Sequence, residues 1–353
     1  MSQQPRRNFI SDNVTGAAPE MLAALAAANH GPAAGYGNDP LTRRLEERAQ
    51  EVFECELAIL PVTTGTAANA LALSLLTPPY GAIYCHETAH VMTDECGAPE
   101  FYSGGAKLLC LPGGHGKIAP PDIAASMALI ASMGVHHVQP AAVTLSQATE
   151  WGTVYELAEL DALSAIARSH RLGLHMDGAR FANALVHLGC TPAEATWKRG
   201  VDVLSLGATK NGALAAEAVI LFNPQLKDAL ALRRKRAGHL WSKMRFLSAQ
   251  LLAYFNDDLW LRHARTANEL AARLAAGLLD CGGRFVAPVQ ANEIFVALPE
   301  AVLAGLRGEG YDFYDWPAPR GESGPVIRLV TAYDMAVADV DAFLGALRRH
   351  LHA

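Results

Sequence analysis

Long apolar runs are missing from this chain. None approaches the ~18 residues that a bilayer-spanning helix requires. The opening stretch MSQQPRRNFISDN has two arginines but no apolar core of signal-peptide length. The expectation is a cytoplasmic protein with no membrane association. A surplus of one charge is also missing: 29 Lys and Arg stand against 35 Asp and Glu, a formal charge of −6. Without a basic surplus the chain lacks the electrostatic footprint for tracking a phosphate backbone, so nucleic acid is not an expected partner. Cysteine is sparse too. Cys55, Cys85, Cys96, Cys110, Cys190 and Cys281 contain no C-x-x-C pair, which excludes a disulfide scaffold. All six read as reduced structural residues, with Cys110 in KLLCLP assigned to a buried strand. Neither a Walker loop nor a G-x-G-x-x-G dinucleotide fingerprint occurs.

Apolar residues are plentiful instead, at 51% of 353. That suffices for a large core and excludes intrinsic disorder; the length predicts about two domains. Seven strand-like runs follow one another: ELAILPV, GAIYC, AKLLCLP, AAVTLSQ, LGLHMD, VDVLSLG and AEAVILF. Helix-like stretches such as ANALALSLL, PDIAASMALIASM and ELAELDALSAIARSHR alternate with them. In the last, Leu157, Leu160, Leu163 and Ile166 recur on one helical face. This pattern predicts an α/β fold with a mainly parallel sheet covered on both sides. Ligands in such sheets sit beyond the carboxyl ends of the strands. Residues 224–280 predict long helices broken at Asn256-Asp257-Asp258, and EIFVALP, VIRLVTA and a closing helix predict a small α+β domain. The expected division is an N-terminal arm at 1–20, a large domain at 21–255 and a small domain at 256–353.

Three strand ends carry the chemistry. Thr63-Thr64-Gly65-Thr66 follows ELAILPV and opens a helix, whose free amides form an anion cup; an ordinary capped turn is the bland alternative. Asp177 ends LGLHMD beside Gly178-Ala179-Arg180. It reads either as a structural ion pair or as a carboxylate holding a proton on a cofactor ring nitrogen, as pyridoxal enzymes require. Lys210, in Ala208-Thr209-Lys210-Asn211-Gly212 after VDVLSLG, is a Schiff-base candidate. Together the three fit one small cofactor: phosphate cup, pyridinium acid, imine lysine. His86-Glu87-Thr88-Ala89-His90 also matches the zinc-peptidase pattern H-E-x-x-H, which needs a helix to align its histidines. Here it follows a strand directly, and Glu95 and Glu100, the acids available as a third ligand, have no firm spacing.

These motifs, taken in order, resemble the low-specificity threonine aldolases and phenylserine aldolases, pyridoxal-phosphate enzymes of the aspartate-aminotransferase type. The resemblance spans essentially the whole chain: SDN at 11–13, GYGNDP at 35–40, TGTAAN at 64–69, TAH at 88–90, HMDGAR at 175–180, TKNG at 209–212 and RLVT at 328–331. It implies fold type I with a seven-stranded sheet, and pyridoxal 5'-phosphate (PLP) as cofactor. Lys210 would bind it covalently, Asp177 would pair with the ring nitrogen, Gly65 and Thr66 would hold the phosphate, and His90 would stack on the ring. Ser11, Arg180 and Arg328 would clamp the substrate carboxylate. Tyr36, Lys243 and Arg245 would reach the site from a neighbouring subunit of a homodimer or homotetramer. The implied reaction is retro-aldol cleavage of a β-hydroxy-α-amino acid to glycine and an aldehyde, with His90 in proton transfer. An aminotransferase or β-eliminating lyase would share the same cofactor residues. Glu150 falls where many relatives carry histidine, and reads either as a helper in proton transfer or as a surface hydrogen-bonding group. The stretches SQATEWGTVY and DECGAPEF look more like the phenylserine-acting subgroup.

Overall fold

The structure is a computed structural model and describes residues 7–319 and 324–351. All seven expected runs form strands: β1 (Ala58–Val62), β2 (Gly81–His86), β3 (Lys107–Leu111), β4 (Gln139–Ser146), β5 (Gly173–Gly178), β6 (Val203–Gly207) and β7 (Glu217–Leu221). They build one sheet in the order β1-β7-β6-β5-β4-β2-β3. Strand β7 pairs antiparallel with both β1 and β6, whereas the other pairings are parallel. Six strands therefore end, and β7 begins, along the same edge of the sheet. Strands β2, β6 and β7, inside the sheet, are buried along their whole length because helices cover both faces. Edge strand β3 differs: Cys110 is exposed there, not buried as expected, because β3 pairs with β2 alone, whereas the other edge strand, β1, is also covered by helices.

The interrupted helices of residues 224–280 resolve into Lys227–Arg236, Arg245–Phe255 and Leu259–Asp280, the last two separated by the turn Asn256–Asp258. The 22-residue helix Leu259–Asp280 serves two cores. Leu259, Trp260 and Ala264 pack under the large sheet, while Leu270, Leu274 and Leu278 join a second cluster. That second cluster lies on an antiparallel sheet ordered β10-β11-β9-β8: β8 (Arg284–Phe285), β9 (Glu293–Ala297), β10 (Tyr314–Trp316) and β11 (Val326–Val330). The two short strands went unread in the sequence, since two or three residues show no alternation. The closing helix is Val337–Leu351.

The arm ties the two sheets together. Phe9 is fully buried against Tyr311 and Phe343 in the second core. Its amide donates to Asp312 O at 2.8 Å and its carbonyl accepts from Val330 N at 2.9 Å. Three residues on, Asp12 is buried against groups of the large sheet. Among the described residues, no helix is long and apolar enough to cross a membrane.

Candidate active site

A cavity of about 320 Å³ opens at the edge where the parallel strands end. Its lining includes Thr63–Thr66 after β1, His90 after β2, Glu150 after β4, Asp177 on β5, Lys210 after β6 and Glu217 at the start of β7. At the cup, Thr64 caps the helix Gly65–Leu76 by accepting the Ala67 amide at 3.1 Å. The Gly65 and Thr66 amides have no protein acceptor among the described residues, and they sit at the positive end of the helix dipole. Lys210 lies in the short turn Thr209–Asn211. Asn211 anchors that turn by donating to Tyr254 Oη at 3.0 Å and Trp260 O at 2.8 Å. Among the described residues, no carboxylate lies within ion-pairing distance of the Lys210 ammonium.

Asp177 does not pair with the neighbouring Arg180. Its carboxylate instead accepts from Asn69 Nδ2 at 2.8 Å and from the Ala179 amide at 3.0 Å. Asn69 donates its second proton to buried Glu95 at 2.8 Å, and Glu95 accepts from His90 Nδ1 at 2.9 Å. That hydrogen bond raises the His90 pKa above its ordinary value although burial opposes it. Burial raises the Glu95 pKa. On the other wall, Glu150 Oε1 accepts from the His90 amide at 2.8 Å and from Ser146 Oγ at 2.6 Å, while Oε2 is buried without a partner. Burial pushes the Glu150 carboxyl up to about 7.

Arg180 is held by two acids. Its fork meets Asp12 at 2.8 and 2.9 Å, and Nη1 lies 3.1 Å from Glu293. Burial works against its charge, but Asp12 and Glu293 outweigh it and hold the guanidinium above its ordinary pKa. Arg328, on β11, does not line the cavity. It stands 3.7 Å from the far side of Glu293, donates to Ile10 O at 3.1 Å, and packs on Tyr314 and Trp316. The two arginines thus flank one buried carboxylate.

Other expected residues lie apart from the cavity. Ser11 caps the turn Asp12–Val14, and it is Asn13 that reaches the lining. Tyr36 is half-exposed beneath Lys235, Lys243 is exposed, and Arg245 donates to Gly31 O at 2.9 Å. The H-E-x-x-H stretch is not a helix: His86 is the last residue of β2 and His90 opens a single helical turn. His86 accepts from the Thr88 amide at 3.0 Å and donates to Gly113 O at 3.1 Å, so one ring nitrogen is engaged by its own loop and the other by the loop after β3. Asp12, Asn69, Glu217 and Glu293 were not singled out as site residues, and Glu95 only as a possible third ligand for the H-E-x-x-H pattern. Glu217 and Glu293 did carry a signal, each being a lone acid at the head of an apolar strand, where water is scarce.

Over residues 8–301 the sequence matches the β-eliminating lyase family. It is 43% identical over 348 residues to the low specificity L-threonine aldolase of a Pseudomonas species, spanning 98% of this chain and 99% of that one. With the low specificity L-threonine aldolase of Pseudomonas aeruginosa it shares 45% identity over 335 residues, 95% of each chain. The solved structure of Leishmania major threonine aldolase superposes with a TM-score of 0.91 at 31% identity, covering 98% of this chain and all of that one. The architecture is accordingly that of the fold type I PLP enzymes. Strand order, the edge on which the cavity opens and whole-length likeness agree: the chain belongs to the β-eliminating lyase family, and within it is most like the low-specificity threonine aldolases.

Proposed function

We propose that this chain is a PLP-dependent aldolase that cleaves L-β-hydroxy-α-amino acids of the threonine, allo-threonine or phenylserine type into glycine and an aldehyde. One observation carries the reading: an unpaired lysine, a buried carboxylate held by amide donors and an open helix N-terminus converge on one cavity. These residues fit PLP. A Cβ built on Gly65 would meet nothing within 4 Å, so the cup has room for a phosphate beside unpaired amides. Asp177 is oriented for a pyridine nitrogen, and Lys210 is free to bind an aldehyde carbon.

When bound, PLP supplies an electron-accepting ring for the pair left on Cα as the Cα–Cβ bond breaks. Asp177 would keep a proton on the ring nitrogen, and Asn69 fixes Asp177. His90 would hold the ring from one side, its orientation set by Glu95. Arg180 binds the substrate carboxylate through the Nη protons that its contacts with Asp12 and Glu293 leave free. Arg328 is the second clamp; its Nε is buried without a partner. Glu150 takes the β-hydroxyl proton at its free Oε2, with His90 assisting, because a carboxyl poised near neutral pH both accepts and returns a proton. Tyr36, Lys243 and Arg245 complete the neighbouring site in a homodimer or homotetramer.

Incubating the purified protein with L-threonine, L-allo-threonine and L-phenylserine tests this. The expected result is glycine and acetaldehyde or benzaldehyde in equal amounts; a keto acid in place of glycine overturns it.

A further inference from the structure

Among the titratable groups lining the cavity, the roles above leave Glu217 unused. Its place in the sheet is specific. On β7 it is paired with Val62, the last residue of β1, on one side and with Gly207, the last residue of β6, on the other. It therefore stands between the strand end that leads into the cup and the strand end that leads into Lys210. The residue is 7% exposed. Its carboxyl accepts from the Ala208 amide at 3.1 Å and the Thr209 amide at 3.3 Å.

The surroundings leave this acid few counter-charges. Lys210 faces it from the loop after β6, and the Tyr254 phenol from the helix Arg245–Phe255. Strand β1 and the helix Gly65–Leu76 contribute no ionisable side chain. His90, Glu150, Asp177 and Arg180 line the rest of the cavity. A cup suited to a phosphate dianion thus has a second buried acid as its neighbour. Two like charges so placed do not both stay ionised without large cost.

We infer that Glu217 takes up a proton when a phosphate group enters the cup, and that its neutral carboxyl then donates a hydrogen bond on the phosphate side of the site. The inference rests on the PLP reading above. The proton comes from solvent and adds to one carboxylate oxygen, the phosphate stays a dianion, and no other bond changes. Burial already pushes this carboxyl up to about 7, against the Thr209 side chain, the Ala208 and Thr209 amides and Lys210. A dianion acts in the same direction. Cofactor affinity must then fall by about tenfold for each pH unit between the carboxyl's pKa in the free protein and its higher pKa in the complex.

The test is PLP binding to the stripped protein, followed by the visible absorption band and by tryptophan fluorescence at about pH 7 and about pH 9. Wild type and Glu217→Gln are compared, since glutamine keeps the shape and cannot ionise. The wild-type affinity, relative to the variant, should fall at least about tenfold between the two pH values. Calorimetry in buffers of different ionisation enthalpy should show proton uptake in wild type that the variant lacks. Pyridoxal, which has no phosphate, should bind both proteins with the same pH dependence. An unchanged affinity ratio, or an equal effect with pyridoxal, overturns the inference. If the variant does not fold, the wild-type proton uptake with PLP minus that with pyridoxal decides alone. A wild type that takes up no PLP at all brings down the proposed function instead, a distinct outcome.

Discussion

Glu150 and His90 stand side by side, yet their atoms are differently committed. The His90 Nδ1 proton is given to Glu95, whereas Glu150 keeps Oε2 unpartnered in the cavity wall. With its pKa raised to about 7 by burial, Glu150 is protonated below that pH and able to accept a proton above it. The rate should therefore rise as pH increases through about 7. Glu150→Gln should lower kcat by roughly 10²–10⁴-fold and abolish that rise, while the cofactor band stays; a pH profile identical to wild type assigns the proton elsewhere. Arg328 makes a second case. Arg328→Ala should cost roughly 2–5 kcal/mol in kcat/KM, with cofactor absorbance unchanged and only partial rescue by lysine, whose point charge lacks the fork. Near-normal kcat/KM would remove Arg328 from substrate binding. Lys210 and Asp177 were legible in the sequence because each follows an apolar strand, where a charge has to have a reason. Asn69 and Glu95 were not, because their meaning lies in contacts with residues far away along the chain: 108 positions separate Asn69 from Asp177.

Strands and their ends were the most legible elements, since runs of apolar residues buried on both faces look the same whatever surrounds them. Pairing direction was not legible. Nothing in AEAVILF says that β7 runs against its neighbours, and that reversal places Glu217 at the cavity instead of on the opposite edge. The close approach of β5 and β6 was equally silent. A Cβ on Gly207 would sit 2.6 Å from Ala179 O, and one on Gly178 would sit 2.8 Å from Ser205 O. Both obstacles are backbone, which cannot swing aside as a side chain can. Gly207→Ala should therefore destabilise the protein by ~1–3 kcal/mol and weaken cofactor retention, because the shift falls between Asp177 and Lys210. Thermal unfolding checks it, with Gly16→Ala, which meets nothing within 4 Å, as the silent control. Equal melting of the two variants would show that the strand ends tolerate the added methyl.

At the scale of the whole molecule, each cavity is expected to need a neighbour. Tyr36, Lys243 and Arg245 lie away from the cavity of their own chain, and a two-fold pairing completes two sites at once. Co-expressing Lys210→Ala with Arg245→Ala should then restore about a quarter of wild-type activity from two inactive parents, since half the dimers are mixed and each mixed dimer keeps one intact site. A mixture as inactive as its parents would make every chain its own enzyme. The arm adds a constraint of another kind. Phe9 is seated among residues near the far end of the chain, and Asp12, three positions on, accepts from Asn292 across 280 residues of sequence while bracing Arg180. The ribosome makes the arm long before its seat. The corner where Asp12, Arg180, Glu293 and Arg328 meet can thus assemble only once β9 and β11 have been made, so until then a growing chain holds Arg180 without the braces that orient it.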